Sequence, residues 1–556
     1  MKTLYTLLLV AVVSFGSALG QTADLILTNG KIWTAESPEK FATSVAIRGD
    51  KIVAAGNQID VAKHRGANTR VVDLAGRFAM PGINDSHVHF LSASLTTTQV
   101  DLTSVKTLEE AQAAIGKFAA ENPIAPWITG FGWQYAIFPD ARLPHRSDID
   151  SVVKDRPVVL SAYDGHTSWA NSKALEIATV TKATEFTGFG EIVRDASGEP
   201  TGVFKEGAMR FVRSKFPPAT REQQNEALKR GFRQAWSLGI TSIQNAGGGQ
   251  SDIDPYSGLL EKGELGVRTS VAFSVGPQTS QADIDKIAEL SKKQSSPMLR
   301  VGAVKVMIDG VVESYTAAML EPYTNKPDIS GTPPYTQEQL NNVVRMADKA
   351  GLQVYIHAIG DRGVRMALDA FENAIRVNGR RDSRFRIEHI ETIQASDIAR
   401  FKELGVIASM EPIHADPATI RVWSDNIGAD RTSRAFAWRA FELAGVKLIF
   451  SSDFPAAISM SPWRGLHSAV NRQTIDGSPV NGWLKQWSVS VPTALTAYTA
   501  TGAFASFEEK TKGQIAPGQF ADIIVLDRDP FAIPSSELYK INVLTTILGG
   551  KVVYER

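Results

Sequence analysis

At 556 residues the chain is too long for one ordinary domain and suits a large barrel or two to three domains. Its 43% hydrophobic and 21% charged residues match a soluble globular protein, and a formal net charge of zero gives no field that would favour nucleic acid or an anionic membrane. The absence of cysteine excludes disulfides, thiolate-ligated zinc and a cysteine nucleophile, so any metal must be held by histidine, carboxylate or a less usual group.

The first twenty residues read as a secretory signal. Lys2 supplies a positive start, Leu4 to Phe15 an apolar stretch, and Ala18-Leu19-Gly20 a small-x-small cleavage site. The apolar run is short for a membrane anchor, and no later stretch reads as a spanning helix. The mature chain is therefore expected to be secreted or periplasmic, with no membrane association after cleavage.

Residues 24–80 alternate short β-rich runs with turns: Leu25 to Leu27 before Asn29-Gly30, Ser44 to Ile47 before Gly49-Asp50, then Ile52 to Ala54. The C-terminus repeats the style, with Gly518 to Leu526, Ile541 to Leu548 and Lys551 to Tyr554. Residues 21–80 and 505–556 are expected to build one composite β-sandwich.

Between them, apolar β-rich runs occur at 83–89, 239–246, 267–274, 301–308, 352–357, 385–389, 405–410 and 447–453. Most are separated by helical patterns such as Gln337 to Ala350 and Val364 to Asn378. Eight buried strands alternating with helices predict an α/β fold, a (β/α)8 TIM barrel over 81–504. The first interval is too long for one helix. It predicts an α/β insertion over about 92–235, rich in Trp, Gly and Pro and emerging at the catalytic end of the barrel.

Polar residues close these apolar strands. His87 and His89 end the first, Lys305 interrupts the fourth, and His357, His389 and Asp453 end the fifth, sixth and eighth. Residues two apart on a strand share a face, so His87 and His89 can share one cation. In a barrel the strand ends converge at one mouth, so all six are expected to meet. Lys305 lies in a strand apolar on both sides, where an ammonium is costly and its pKa falls. A neutral lysine amine can add carbon dioxide to form a bidentate carbamate; the alternative is pairing with Asp309.

The ordered motifs Pro81 to His89, Trp127 to Trp133, Asp164 to Asn171, Ala303 to Gly310, His357 to Asp361, Arg386 to His389, Ser452 to Pro455, Thr499 to Ala503 and Gly518 to Asp527 resemble the amidohydrolase superfamily. The resemblance is to its amidohydrolase-3 branch, which includes YtcJ-like proteins and N-substituted formamide deformylase, and it runs from about residue 24 to the end. It implies a metal-dependent hydrolase with two divalent ions, one held by His87, His89 and Asp453 and the other by His357 and His389, bridged by carboxylated Lys305. Zinc is the default ion, with manganese, cobalt or iron also suited to these ligands. The implied reaction is hydrolysis of a C–N bond other than a peptide bond by a metal-activated hydroxide, with Asp453 as general base.

Mononuclear deaminases of the superfamily place Glu three positions after the fifth-strand histidine; position 360 here is Gly, and Lys305 is present, so the hydrolytic form is favoured. An esterase or lactonase using the same centre, or a periplasmic binding protein without turnover, are the rival readings. His166 is a candidate to hydrogen-bond a substrate carbonyl, as the resemblance suggests, or else a structural contact. Trp133 and Trp169 are either pocket walls or packing aromatics. Asp309 either supports Lys305 or holds substrate, and Tyr315 should face the mouth beside it. Glu206 can reach the site from the end of the insertion. His414 and His467 are assigned to the rim, and His64 and His145 to the surface. The expected partner is a small-molecule substrate; the assembly is open, with a homodimer as one option.

Overall fold

The computed structural model describes residues 22–556, apart from 97, 140–141, 164, 166 and 188–189. The expected signal segment at 1–20 lies outside the described residues. So does His166.

Eight parallel strands form the central sheet: β1 (Ile83–Val88), β2 (Ile240–Asn245), β3 (Arg268–Val275), β4 (Leu299–Met307), β5 (Gln353–Ala358), β6 (Arg386–His389), β7 (Ile407–Met410) and β8 (Leu448–Phe450). Each pairs with its neighbour in chain order. Every residue of β1, β2, β5, β6, β7 and β8 is buried. Burial on both faces is why these segments show no apolar–polar alternation. The helices outside them are amphipathic: Gln337–Lys349 turns Leu340, Val343, Val344 and Ala347 inward, and Asp361–Asn378 turns in Val364, Leu368 and Phe371.

The ring closes between β8 and β1 just past the strand ends. The Asp453 amide donates to the His87 carbonyl at 2.8 Å, and the His89 amide to the Phe454 carbonyl at 3.1 Å. Asp85 reinforces the closure by accepting from the Ser452 amide at 3.0 Å and the Ser452 hydroxyl at 2.6 Å. Gly82 allows β1 to approach β2: a Cβ there would lie 2.2 Å from the Thr241 hydroxyl.

Both chain ends build the small β unit. A four-stranded sheet uses Leu25–Thr28, Ser44–Arg48, Lys51–Gly56 and Arg70–Asp73; a six-stranded sheet combines three N-terminal strands with Ile523–Leu526, Val543–Leu548 and Lys551–Glu555. Strand Phe78–Pro81 lies between Lys31–Trp33 and Ile523–Leu526, with Met80 opposite Ile524. Their shared core joins Leu25, Leu27, Val45 and Ile47 to Ile515, Ile523 and Ile547. Phe78–Pro81 runs straight into β1, so this unit anchors the strand that carries His87.

The insertion is a six-stranded sheet from Val100–Asp101 to Pro200–Glu206 with two apolar cores of its own. It ends earlier than the expected residue 235. Helix Arg221–Ser237 places Leu228, Phe232 and Ala235 in the barrel core, and Phe232 stacks on Phe90 at 5.8 Å. Among the described residues, no helix is long and apolar enough to cross a membrane.

Candidate metal centre

Six residues, from His87 to Asp453, meet where β1, β4, β5, β6 and β8 end. Asp453 Oδ1 lies 3.4 Å from His87 Nε2 and 3.4 Å from His89 Nε2. Lys305 Nζ is 3.3 Å from His87 Nε2. The His389 ring links the two sides, its centroid 4.9 Å from that of His87 and 4.4 Å from that of His357. His389 and Asp453 hold left-handed backbone, φ 73° and 52°, which non-glycine residues rarely adopt and which places their side chains into the mouth. The last predicted strand ends three residues before Asp453, at Phe450.

A divalent ion fits this donor set: one ligand atom each of His87, His389 and Asp453 lies within 4.8 Å of the others. Ligands bonded to one cation at about 2.0–2.1 Å in a tetrahedron stand roughly 3.3 Å apart, the separation seen between Asp453 Oδ1 and both histidines. Asp453 Oδ1 is buried and has no hydrogen-bond partner among the described residues. Burial, then the nearby Lys305 and His389, hold His87 and His357 well below the usual histidine pKa range, keeping them neutral as metal binding requires. Burial alone would raise Asp453, but His87, His89 and His389 hold its carboxyl well below the usual range. Burial likewise lowers Lys305, against the opposing pull of Glu388, Asp453 and Glu411. The His89 side chain keeps 38% exposure, so the centre stays open to solvent on that side.

The histidines are oriented from behind. His87 Nδ1 is 2.6 Å from Glu388 Oε2, and Glu388 is gripped by the fully buried Arg386 through Nε and Nη2, both at 2.9 Å. His389 Nδ1 is 2.8 Å from Glu411 Oε2, and the Ser451 hydroxyl donates to Glu411 Oε1 at 2.9 Å. A carboxylate on Nδ1 fixes the tautomer and turns Nε2 towards the cation. Sequence reasoning missed Glu388 and Glu411. The available signal was the strand Arg-Ile-Glu-His itself, whose three charged or polar residues out of four demand partners once it is buried.

The other predicted residues separate into distinct environments. Asp309 is not a free substrate contact: its carboxylate accepts from the backbone amides of Ala318 (2.9 Å), Ile359 (3.1 Å) and Gly360 (2.9 Å), with His357 Nε2 at 3.4 Å. It brackets the loops after β4 and β5. Asp309→Ala would leave three buried N–H groups unsatisfied at about 1–3 kcal/mol each; chemical denaturation should show a midpoint falling without change in slope.

Gly360 sits in the same bracket. A Cβ there would lie 2.1 Å from the Ala318 carbonyl oxygen, so the β4 loop leaves no room for a side chain at this position.

Tyr315, also left-handed at φ 65°, donates its hydroxyl to Asn426 Oδ1 at 3.0 Å, tying the β4 loop to helix Arg421–Ser433. Of the two readings left open for Trp133, pocket wall or packing aromatic, its surroundings match packing. It is fully buried in the insertion's own core, its indole N–H donates to the Leu160 carbonyl at 3.0 Å, and Trp169 packs edge-on at 6.2 Å. Glu206 ends an insertion strand in left-handed backbone, φ 49°. His467 is buried away from the cluster, between Asn471 and the Thr474 carbonyl.

His414, assigned to the rim, lies inside the centre. Its Nε2 is 3.5 Å from Asp453 Oδ2, and its ring stacks parallel to His389 at 5.6 Å. Burial would lower its pKa, but Glu391, Asp453 and Glu411 outweigh that and push it up to about 9.

The sequence profile of the amidohydrolase family matches residues 70–554. The chain is 33% identical over 547 residues to Protein LONG AFTER FAR-RED 3 of Arabidopsis thaliana, covering 96% of this chain and 92% of that protein. It is 26% identical over 553 residues to N-substituted formamide deformylase of Arthrobacter pascens, covering 96% and 99% respectively. Among solved structures, an uncharacterized metal-dependent hydrolase from Pyrococcus furiosus aligns with TM-score 0.73 at 28% identity, over 91% of this chain and 99% of that one.

Proposed function

The chain belongs to the amidohydrolase family, and from that premise we propose that this metal-dependent hydrolase is an exported enzyme cleaving an amide-type C–N bond at a binuclear centre bridged by carboxylated Lys305. The observation that carries this reading is the buried Lys305 amine, 3.3 Å from His87 Nε2 among histidines from both sides of the mouth. In this reading His87, His89 and Asp453 hold one ion, and His357 and His389 the other, with zinc as the default. Such ions polarise a carbonyl and make water acidic near neutral pH.

The protein's own residues supply the rest. Glu388 and Glu411 hold the two histidines in register, so the centre is set before substrate arrives. Asp453, ionised at neutral pH, takes the proton that water loses on attack and returns it to the leaving nitrogen. From the insertion, we assign His166 to the substrate carbonyl and Glu206 as a second contact. The leader at 1–20 supports a secreted or periplasmic location.

The test is to strip the purified protein of metal and titrate zinc, manganese or cobalt back while assaying N-substituted formamides, N-acyl amines and cyclic amides. The formamides lead the panel because the Arthrobacter relative is named for them. Turnover should return with metal and release amine. Metal binding without turnover across the panel would favour a binding protein, and turnover of esters alone would move the reading to an esterase or lactonase.

A further inference from the structure

Three histidines of the mouth carry a glutamate on Nδ1. Two of them, His87 on Glu388 and His389 on Glu411, belong to the proposed metal ligands. The third is His414, in the short turn Pro412–Ala415 that follows β7. Its Nδ1 is 3.2 Å from Glu391 Oε1, and the Trp423 indole N–H donates to Glu391 Oε2 at 2.6 Å. Glu391 and Trp423 are both buried, so the imidazole is fixed on a rigid support. Its other nitrogen, Nε2, is buried without a hydrogen-bond partner among the described residues and faces Asp453 Oδ2 at 3.5 Å.

The two oxygens of Asp453 therefore have different surroundings. Oδ1 faces His87 and His89, where a cation would sit; Oδ2 faces His414. The oxygen directed away from the ligands is the one free to exchange a proton. Among the described residues no other ring nitrogen lies as near: that of His389 is 4.0 Å away and already bonded to Glu411.

We propose that His414 is a positioning residue, whose Nε2–H donates to Asp453 Oδ2 and holds that oxygen towards the attacking water, with Glu391 and Trp423 locking the ring. The inference rests on Asp453 being the base. At 3.5 Å the two atoms are close but not hydrogen-bonded, and a small rotation of the Asp453 carboxyl would form the bond, as catalytic contacts commonly tighten on substrate binding. A structural role for His414 would be met by any side chain of similar size; a positioning role needs a donor.

The experiment compares His414→Leu, His414→Gln and Trp423→Phe in the full-length, zinc-loaded protein, on whichever of the panel amides the unaltered protein hydrolyses. Zinc per chain, kcat, KM and thermal unfolding are measured together. The expected result is unchanged zinc content in all three variants, with kcat about 10²-fold lower in His414→Leu and KM within about threefold. His414→Gln, which keeps an N–H donor, should recover about tenfold of that loss, and Trp423→Phe, which frees Glu391, should show a smaller kcat loss with the same KM. If His414→Leu does not fold, the Gln and Phe variants carry the test by the same split. An unchanged kcat in folded variants overturns the proposal, as does loss of zinc, which would make His414 a ligand. Unaltered protein inert on every amide would remove the amidase reading itself, and this inference with it.

Discussion

Lys305→Ala is expected to abolish stable binding of the second metal equivalent and to lower turnover by about 10³-fold or more, the order that follows from losing several kcal/mol of Lewis-acid stabilisation at tenfold per 1.36 kcal/mol. The argument starts from β4. Lys305 pairs in register with Ser274 on one side and Tyr355 on the other, is 3% exposed, and has no carboxylate within ion-pair distance among the described residues. A buried ammonium left so weakly compensated favours the neutral amine, the form able to become a carbamate. If a bridging anion is what the lysine supplies, a short carboxylic acid added to Lys305→Ala should restore part of both metal content and activity. Metal content equal to that of the unaltered protein would show the lysine to be no bridge.

The second large effect is expected at Asp453. Asp453→Asn keeps the shape and an oxygen but removes the proton acceptor, so kcat should fall by about 10²–10⁴-fold, the range general-base catalysis contributes. Because the carboxylate also compensates the surrounding histidines, zinc affinity should weaken in the same variant. Glu411→Gln should weaken affinity by about 10–100-fold without a matching loss of kcat at saturating metal. The two variants thus separate proton transfer from ligand orientation. Steady-state kinetics at several zinc concentrations distinguishes them.

Much of the centre was legible because a parallel barrel converts strand order into proximity. His87, His357 and His389 each stand at or near the end of a buried strand, and observed and expected strand limits differ by at most two residues until β8. There the chain leaves the ladder at Phe450 and reaches Asp453 through non-strand backbone, which periodicity cannot foresee. The glutamates behind the histidines were hidden for a different reason. Glu388 and His389 are adjacent, but Glu388 meets His87 of the non-neighbouring strand β1 while His389 meets Glu411 just past β7.

Trp133 was ambiguous because alternation along a strand reports that a side chain is buried, not which core buries it. His414 escaped because a residue in a turn after β7 has no period at all; only the Glu391 and Trp423 contacts reveal its direction. Asp309 shows the converse: it lies 3.4 Å from His357 Nε2, but three backbone amides occupy its carboxylate.

The most direct measurement is an anomalous-diffraction crystal structure of the zinc-loaded protein with a hydrolysis product bound. The account predicts two metal peaks, one among His87, His89 and Asp453 and one beside His357 and His389, with continuous density extending from Lys305 Nζ between them. A single peak with a bare lysine amine would contradict it.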